Sequence, residues 1–329
     1  MTSFFRLIAG LDRFILFLIA TVALASLLPA HGVGAAIFDW AADIAITLLF
    51  FLHGAKLSRA AIMGGIGKWR LHLLALSVTF LLFPLFGLGI AAVTRGFVSA
   101  EILAGLVFLS LLPSTVQSSI AFTSIAGGNV PAAVGSASLS NVIGIFLTPV
   151  LVGLFLHIGG SAGGISRSAI EGIMLQLLLP FILGHVMRPL IGSFLDRHRS
   201  LLMPVDRASI LLVVYTAFSA AVINGIWQRT DAIDLVWTLL LSVVLLGMIM
   251  AANTFLARRF HLPREDEIVL LFCGSKKSLV SGVPMAGALF PAAQVGMIIL
   301  PLMIFHQVQL FVCAVIAARY QRARKSPES

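Results

Sequence analysis

The sequence predicts an all-α polytopic membrane protein with ten spans arranged as two inverted five-helix repeats, the fourth span of each repeat being interrupted. Three observations carry that prediction. Of 329 residues, 59% are hydrophobic and only 11% charged, with mean hydropathy +1.06, whereas a soluble domain carries about a quarter charged residues. The basic residues fall in alternate loops. Finally, the two most polar stretches inside any apolar span occupy matching places in the two halves of the chain.

A net charge of +9 does not indicate nucleic acid as a partner, because the basic residues stand in short clusters between apolar runs, as loops on the cytoplasmic side do. The two cysteines, Cys273 and Cys313, both lie inside apolar spans, and their spacing suggests neither a disulfide framework nor a metal site. They read as packing residues. The apolar run 14–30 is the right length for a signal peptide but reads better as the first span.

At about 20 apolar residues per crossing, spans fall near 14–30, 39–55, 71–93, 101–125 and 131–156 in the first half. The second half repeats the count, near 169–187, 208–227, 233–257, 268–291 and 294–318, with one longer basic loop after the sixth span. On one side of these spans lie Arg6, Arg13, Lys56, Arg59, Lys68, Arg70, Arg188, Arg197, Arg199 and Arg207. Arg258, Arg259, Arg264, Arg319, Arg322, Arg324 and Lys325 join them there, leaving Arg95, Arg167 and Arg229 opposite and Lys276 and Lys277 within a span. By the positive-inside rule both termini are cytoplasmic. One missed span would reverse the pattern from that point on.

Asp39 and Asp43 stand at the expected start of the second span, and Glu265, Asp266 and Glu267 before the ninth. These are places where carboxylates complement a helix N-terminus. His53, Lys56 and Arg59 match the opposite pole at the end of the second span. Gly127-Gly128-Asn129 reads as a tight turn between the fourth and fifth spans; with no preceding strand and no following Lys-Ser/Thr it is not a phosphate loop.

The ten spans divide around Gly159-Gly160-Ser161-Ala162-Gly163-Gly164, giving repeats over 1–158 and 169–318, a connection at 159–168 and a basic tail at 319–329. Five spans per half means that the halves enter the membrane from opposite sides. Their fourth spans carry LLPSTVQSSIAF at 111–122 and FCGSKKSLVSGV at 272–283. Interrupted spans at equivalent positions point to the substrate site of a secondary transporter. Pro113 removes a backbone donor, Gly274 tolerates unwinding, and the freed backbone groups are tolerated only inside protein or beside a watery cavity. The half-helix N-termini then present N–H groups to an anion.

The candidate site is therefore Pro113, Ser114, Thr115, Gln117, Ser118 and Ser119 with Gly274, Ser275, Lys276, Lys277 and Ser278. Two ammonium groups near the bilayer midplane call for partners or water; the competing reading places them in a short loop from which they snorkel. The serines have their own competing reading as interhelical glue. Ser136, Ser138, Ser140 and Asn141 of the fifth span and His306, Gln307 and Gln309 of the tenth are candidate lining residues.

These stretches carry a resemblance. FFLHGAKLSRAAI (50–62), LPSTVQSSIAFTSIAGGNVPAA (112–133), LLVVYTAFS (211–219), FCGSKKSLVSGVPMA (272–286) and LPLMIFHQVQL (300–310) resemble the bile acid:sodium symporter (SBF-like) family. The specific likeness is to the bacterial branch related to vertebrate solute carrier family ten, member seven, and it runs over essentially the whole chain. The resemblance implies core and panel domains, with the unwound fourth and ninth helices crossing near the membrane centre. In sodium-coupled members the ninth helix carries Glu-x-Gly-x-Gln-Asn; here Phe272 stands for the Glu, and Lys276 and Lys277 stand for the Gln-Asn. Ser118-Ser119 approximates a Ser-Asn pair of the fourth helix, and Thr79 a Gln of the third. A hard cation wants about six oxygens, preferably including a carboxylate, and that carboxylate is missing.

The expected function is alternating-access transport of a small organic anion, bile-acid-like or another carboxylate or sulfonate, across a bacterial inner membrane. Spans four, five, nine and ten would move against the rest. There is no nucleotide-binding loop and no motif of an intramembrane enzyme, so the chain is expected to need no cofactor, sodium being the family's default coupling ion. Proton-coupled or uncoupled transport using Lys276 and Lys277 is the alternative. One ammonium would fill the sodium volume and the other would face the cavity. A non-transporting regulator of membrane calcium homeostasis remains open beside these readings, since the vertebrate relative is associated with calcium handling.

Overall fold

The computed structural model describes residues 13–56, 68–156, 167–229 and 231–325, which are helical apart from turns and short connections. In chain order the helices are α1 (Arg13–Leu27), α2 (Gly32–Lys56), α3 (Trp69–Val93), α4 (Ala100–Leu111), α5 (Gln117–Ala126), α6 (Val130–Leu156) and α7 (Arg167–Arg197). They continue as α8 (Arg199–Ile223), the single turn α9 (Ile226–Arg229), α10 (Ala232–Arg259), α11 (Arg264–Gly274), α12 (Leu279–Leu289) and α13 (Ala292–Lys325). Among the described residues, 8 helical stretches are long and apolar enough to cross a membrane, and Leu16–Leu27 and Ala100–Leu111 are shorter apolar helices. The chain is a multi-pass membrane protein. Most of the expected Gly-rich connection, Arg6, Arg59 and the last four residues of the tail lie outside the described residues.

Two sequence expectations change. The second span begins at Gly32 rather than near 39, so Asp39 and Asp43 sit two and three turns inside α2 and do not cap its N-terminus. The run Gly32–Ala36 is small and weakly apolar, and hydropathy underreads it, but backbone in lipid must still be hydrogen-bonded and the helix extends. The basic loop expected after the sixth span is mostly helix: α7 continues to Arg197 and α8 starts at Arg199, with His198 between them. Charges end an apolar run without ending a helix. Arg188 reaches back to donate to Ala55 O at 2.6 Å.

Two seams position the site. Gly54 of α2 and Gly184 of α7 face one another's backbones: a Cβ on Gly54 would strike Phe181 O, with Phe181 C 2.8 Å away, and one on Gly184 would strike Phe51 O, with Phe51 C 2.8 Å away. Small residues of this kind let membrane helices approach backbone to backbone. At the predicted cytoplasmic end, the α5–α6 turn is tied to the start of α11. Gly127 takes φ +80°, Asn129 N–H donates to Glu265 O at 3.1 Å, and Asn129 Nδ2 donates to Asp266 Oδ1 at 3.0 Å. Asp266, buried at 4% exposure, also pairs with Lys68 at 2.5 Å.

Replacing Gly54 or Gly184 by Val drives a side chain into backbone that cannot move aside. The expected loss is about 1–3 kcal/mol or more, read as a lower unfolding temperature of the detergent-purified protein. Gly247→Ala, where nothing lies within 4 Å of the added carbon, should leave that temperature unchanged or slightly higher.

Candidate functional site: a crossover of two broken helices

The site begins with a deformation in α3. Pro84 lacks an N–H and crowds the carbonyl four residues back, and the helix widens into a π-turn over Val78–Leu82. Phe83 N–H therefore bonds to Val78 O instead of Thr79 O. The next donor that could take Thr79 O would be residue 84, which is proline. Thr79 O is left without a helical partner, while Thr79 Oγ1 bonds to Ala75 O at 2.8 Å.

The first break lies between α4 and α5. Leu112 is extended (φ −75°, ψ 157°), as a residue preceding proline tends to be, and the last carbonyls of α4 lose their helical donors. The second break, 275–278, separates α11 from α12. The two breaks satisfy each other. Ser278 N–H donates to Pro113 O at 2.9 Å, Ser114 Oγ to Cys273 O at 2.6 Å and Ser119 Oγ to Phe272 O at 3.0 Å. From α6, Thr148 Oγ1 donates to Leu111 O at 2.9 Å, Asn141 Nδ2 to Ser114 O at 2.8 Å, and Ser140 Oγ accepts Ser114 N–H at 3.0 Å. Thr115, Ser118 and Ser119 link hydroxyl to hydroxyl at 2.8 and 2.9 Å.

Lys277 completes this accounting. Its Nζ donates to Thr79 O at 2.8 Å, Ser110 O at 2.8 Å and Leu112 O at 2.7 Å, and it stands 4.1 Å from the centroid of the Phe83 ring. An ammonium has three donors, and here all three are used. Its three acceptors are carbonyls released by the π-turn and by the first break. The residue is 0% exposed.

Lys276 is also 0% exposed, but its ammonium has no hydrogen-bond partner among the described residues. It lies 4.1 Å from the ring centroid of Phe122 and 5.5 Å from that of Phe272, a cation–π setting. The expected cavity-facing lysine is thus enclosed by aromatic rings, because Phe122 of α5 and Phe272 of α11 close over it. Neither lysine snorkels. Cys273 and Cys313 are buried free thiols.

Gln309 takes a part that hydropathy does not foretell. Its Oε1 accepts Lys277 N–H at 2.8 Å and its Nε2 donates to Lys277 O at 2.9 Å, so one carboxamide clamps both sides of a single residue's backbone. Nε2 also meets His306 Nδ1 at 2.8 Å. An amide nitrogen only donates, so Nδ1 accepts and His306 carries its proton on Nε2. Of the other expected residues, Ser136 turns away to His72 Nδ1 at 2.7 Å, and exposed Gln117 meets Met203 Sδ at 3.7 Å. Ser138 and Gln307 make no side-chain hydrogen bond among the described residues. Among the described residues no group of three metal-ligating side chains occurs. Sequence reasoning missed Ser110 and Leu112, which act through their carbonyls, and Asn253 of α10, a buried carboxamide without a hydrogen-bond partner among the described residues and packed against Gly274. Pro84, five residues after Thr79, was the available signal for the π-turn.

Residues 12–322 match the SBF-like CPA transporter family. The chain belongs to that family. Among its relatives are an uncharacterized protein of Pseudomonas aeruginosa, 54% identical over 313 residues, covering 95% of this chain and 94% of the relative, and "Putative symporter YfeH" of Escherichia coli, 52% identical over 317 residues, covering 96% and 95%. More distant is sodium/bile acid cotransporter 7 of Mus musculus, 28% identical over 279 residues, covering 83% and 81%. This family membership makes the chain a membrane transporter and not an enzyme.

Substituting Gln309 by Leu removes the clamp while leaving the lysines in place. Hydrogen exchange at the Lys277 amide should then quicken by about tenfold or more. Gln307→Leu should leave that exchange unchanged.

Proposed function

We propose that this transporter carries a small organic anion across a bacterial inner membrane by alternating access, with both termini cytoplasmic and with no sodium ion at the crossover. The observation that carries the reading is the Lys277 ammonium, tethered to the chain and bonded to three main-chain carbonyls. Carbonyl oxygens converging on one point are what a hard cation seeks. A monovalent charge already stands there, and the carboxylate that a free cation would favour is replaced by Phe272.

Helix polarity supports a position for the anion. The first turn of α12 is capped, Ser278 Oγ accepting Ser281 N–H at 3.1 Å. The N-terminus of α5 has no side-chain cap, and its exposed face carries Gln117, Ala121 and Ser124. Uncapped N–H groups at a helix start attract negative charge, and the hydroxyls around Ser118 suit a carboxylate or sulfonate. Lys276, without an acceptor among the described residues, is the side chain whose pairing changes when an anion arrives or when it gains or loses its proton.

The two halves, 1–158 and 169–318, act on this reading as inverted repeats, with α4–α6 and α11–α13 moving against the remaining helices. Lys277's bond to Thr79 adds α3 to the moving unit. One end of the interface between the units is shut: a Cβ on Gly296 would lie 2.8 Å from Ala221 Cβ, and one on Gly287 would lie 3.1 Å from Ile46 Cδ1. The exposed face of α5 lies toward the other end, where Asn129 meets α11. That is the predicted cytoplasmic side, which supports reading this form as inward-facing.

In liposomes, counterflow of labelled carboxylate and sulfonate anions should proceed within about twofold when choline replaces sodium. Lys277→Met should lower it more than tenfold, because three buried carbonyls lose a charged donor. Lys276→Gln should leave uptake that no longer varies with pH. Counterflow that collapses in choline returns the reading to sodium symport, and absence of counterflow for every anion overturns transport in favour of regulation.

Gly296→Val should open the shut end. An increased rate of maleimide labelling at a cysteine introduced for Ala221 would report that shift, and an unchanged rate would argue against the seam as a gate.

A further inference from the structure

Asp39 stands seven residues into α2, about 10 Å from the helix start at 1.5 Å per residue, within a stretch long and apolar enough to span the bilayer. Asp39 is exposed and has neither ion pair nor side-chain hydrogen bond among the described residues. It lines a cavity of about 170 Å³ between the start of α2 and the end of α8, together with Phe38, Thr216, Ser219 and Asn224. The polar side chains of this wall have oxygen to offer. Thr216 Oγ1 donates its proton to Leu212 O at 3.0 Å and keeps its lone pairs, and Asn224 Nδ2 is held by Ala220 O at 2.7 Å, leaving Oδ1. Ser219 is 2% exposed, and its hydroxyl has no hydrogen-bond partner among the described residues. Among the described residues no basic side chain lines the cavity.

We propose that this cavity binds a monovalent cation. One carboxylate set among neutral oxygens balances one positive charge and repels an anion, and it falls short of the acidic ligand count that calcium loops gather. The volume exceeds that of a bare ion and accommodates an ion with water, or an ammonium head. The same chemistry has two sources: an alkali-metal ion from solution, or the primary ammonium of an ethanolamine phospholipid lying against α2. Either bridges α2 and α8. The site is separate from the crossover and does not depend on the transport reading.

The test uses the purified full chain in nanodiscs of phosphatidylcholine and phosphatidylglycerol, its unfolding temperature followed while NaCl or KCl replaces N-methylglucamine chloride at constant ionic strength. A second arm introduces phosphatidylethanolamine without alkali ions. In one arm or the other, the wild-type protein should gain about 2 °C or more and Asp39→Asn none. Ser219→Ala, which keeps the carboxylate and removes one ligand, should need roughly three- to tenfold more cation for the same gain. If Asp39→Asn does not yield folded protein, the Ser219→Ala comparison decides. Equal responses in wild type and variants, or no gain in either arm, overturn the site.

Discussion

The bond set of one ammonium governs the centre of this protein. Lys277 Nζ gathers carbonyls from the π-turn of α3 and from the α4 side of the first break, and these carbonyls are released by the prolines that follow them. Pro84 deprives Thr79 O of its donor, and Pro113 ends the helix that would have served Ser110 O. Charge-assisted bonds of this kind are about twice as strong as neutral ones. In a dry interior the alternative, three orphaned carbonyls and a stranded charge, is prohibitive. The lysine and the prolines therefore require one another.

The same reasoning explains why two helices can be broken inside a membrane. Each break exposes main-chain groups that lipid cannot solvate, and each supplies what the other lacks. Ser278 N–H goes to Pro113 O, serines of the first break go to carbonyls at the end of α11, and α6 and α13 contribute Asn141, Thr148 and Gln309 as side-chain substitutes for lost helical donors. Separating α5 from α11 would uncover several of these groups at once. On the proposed reading the crossover moves as one body, and motion falls on the seams around it, where contacts are apolar and small.

Much of this was legible in the sequence. Composition marked the membrane class, and the polar runs around Pro113 and Lys276 marked the residues that now meet. What stayed hidden has physical causes. Carbonyl ligands such as Ser110 O and Leu112 O leave no trace in residue identity, and Gln309 looks like a cavity residue until its amide is seen on a backbone. The role of Asp39 was misread because Gly32–Ala36 is too weakly apolar to announce the helix start. The two lysines, alike as adjacent letters, diverge because the unwound segment between α11 and α12 sends their side chains to different neighbours. One finds carbonyls and the other finds Phe122 and Phe272.

That divergence bears on energetics. A free ion contributes to a transport cycle through its concentration on each side of the membrane, since its binding shifts the conformational equilibrium by an amount set by concentration over dissociation constant. A tethered ammonium has no concentration. It holds the crossover together in every step but transmits no gradient. On the proposed reading, the position that sodium would use is therefore structural here, and any dependence on external ions must enter elsewhere. Lys276 is placed to respond to the anion or to protons, and the carboxylate of Asp39, on the wall between α2 and α8, is placed to respond to cations. On this reading any coupling to a free cation is separable from Lys277, because the ammonium that fills that position cannot leave it.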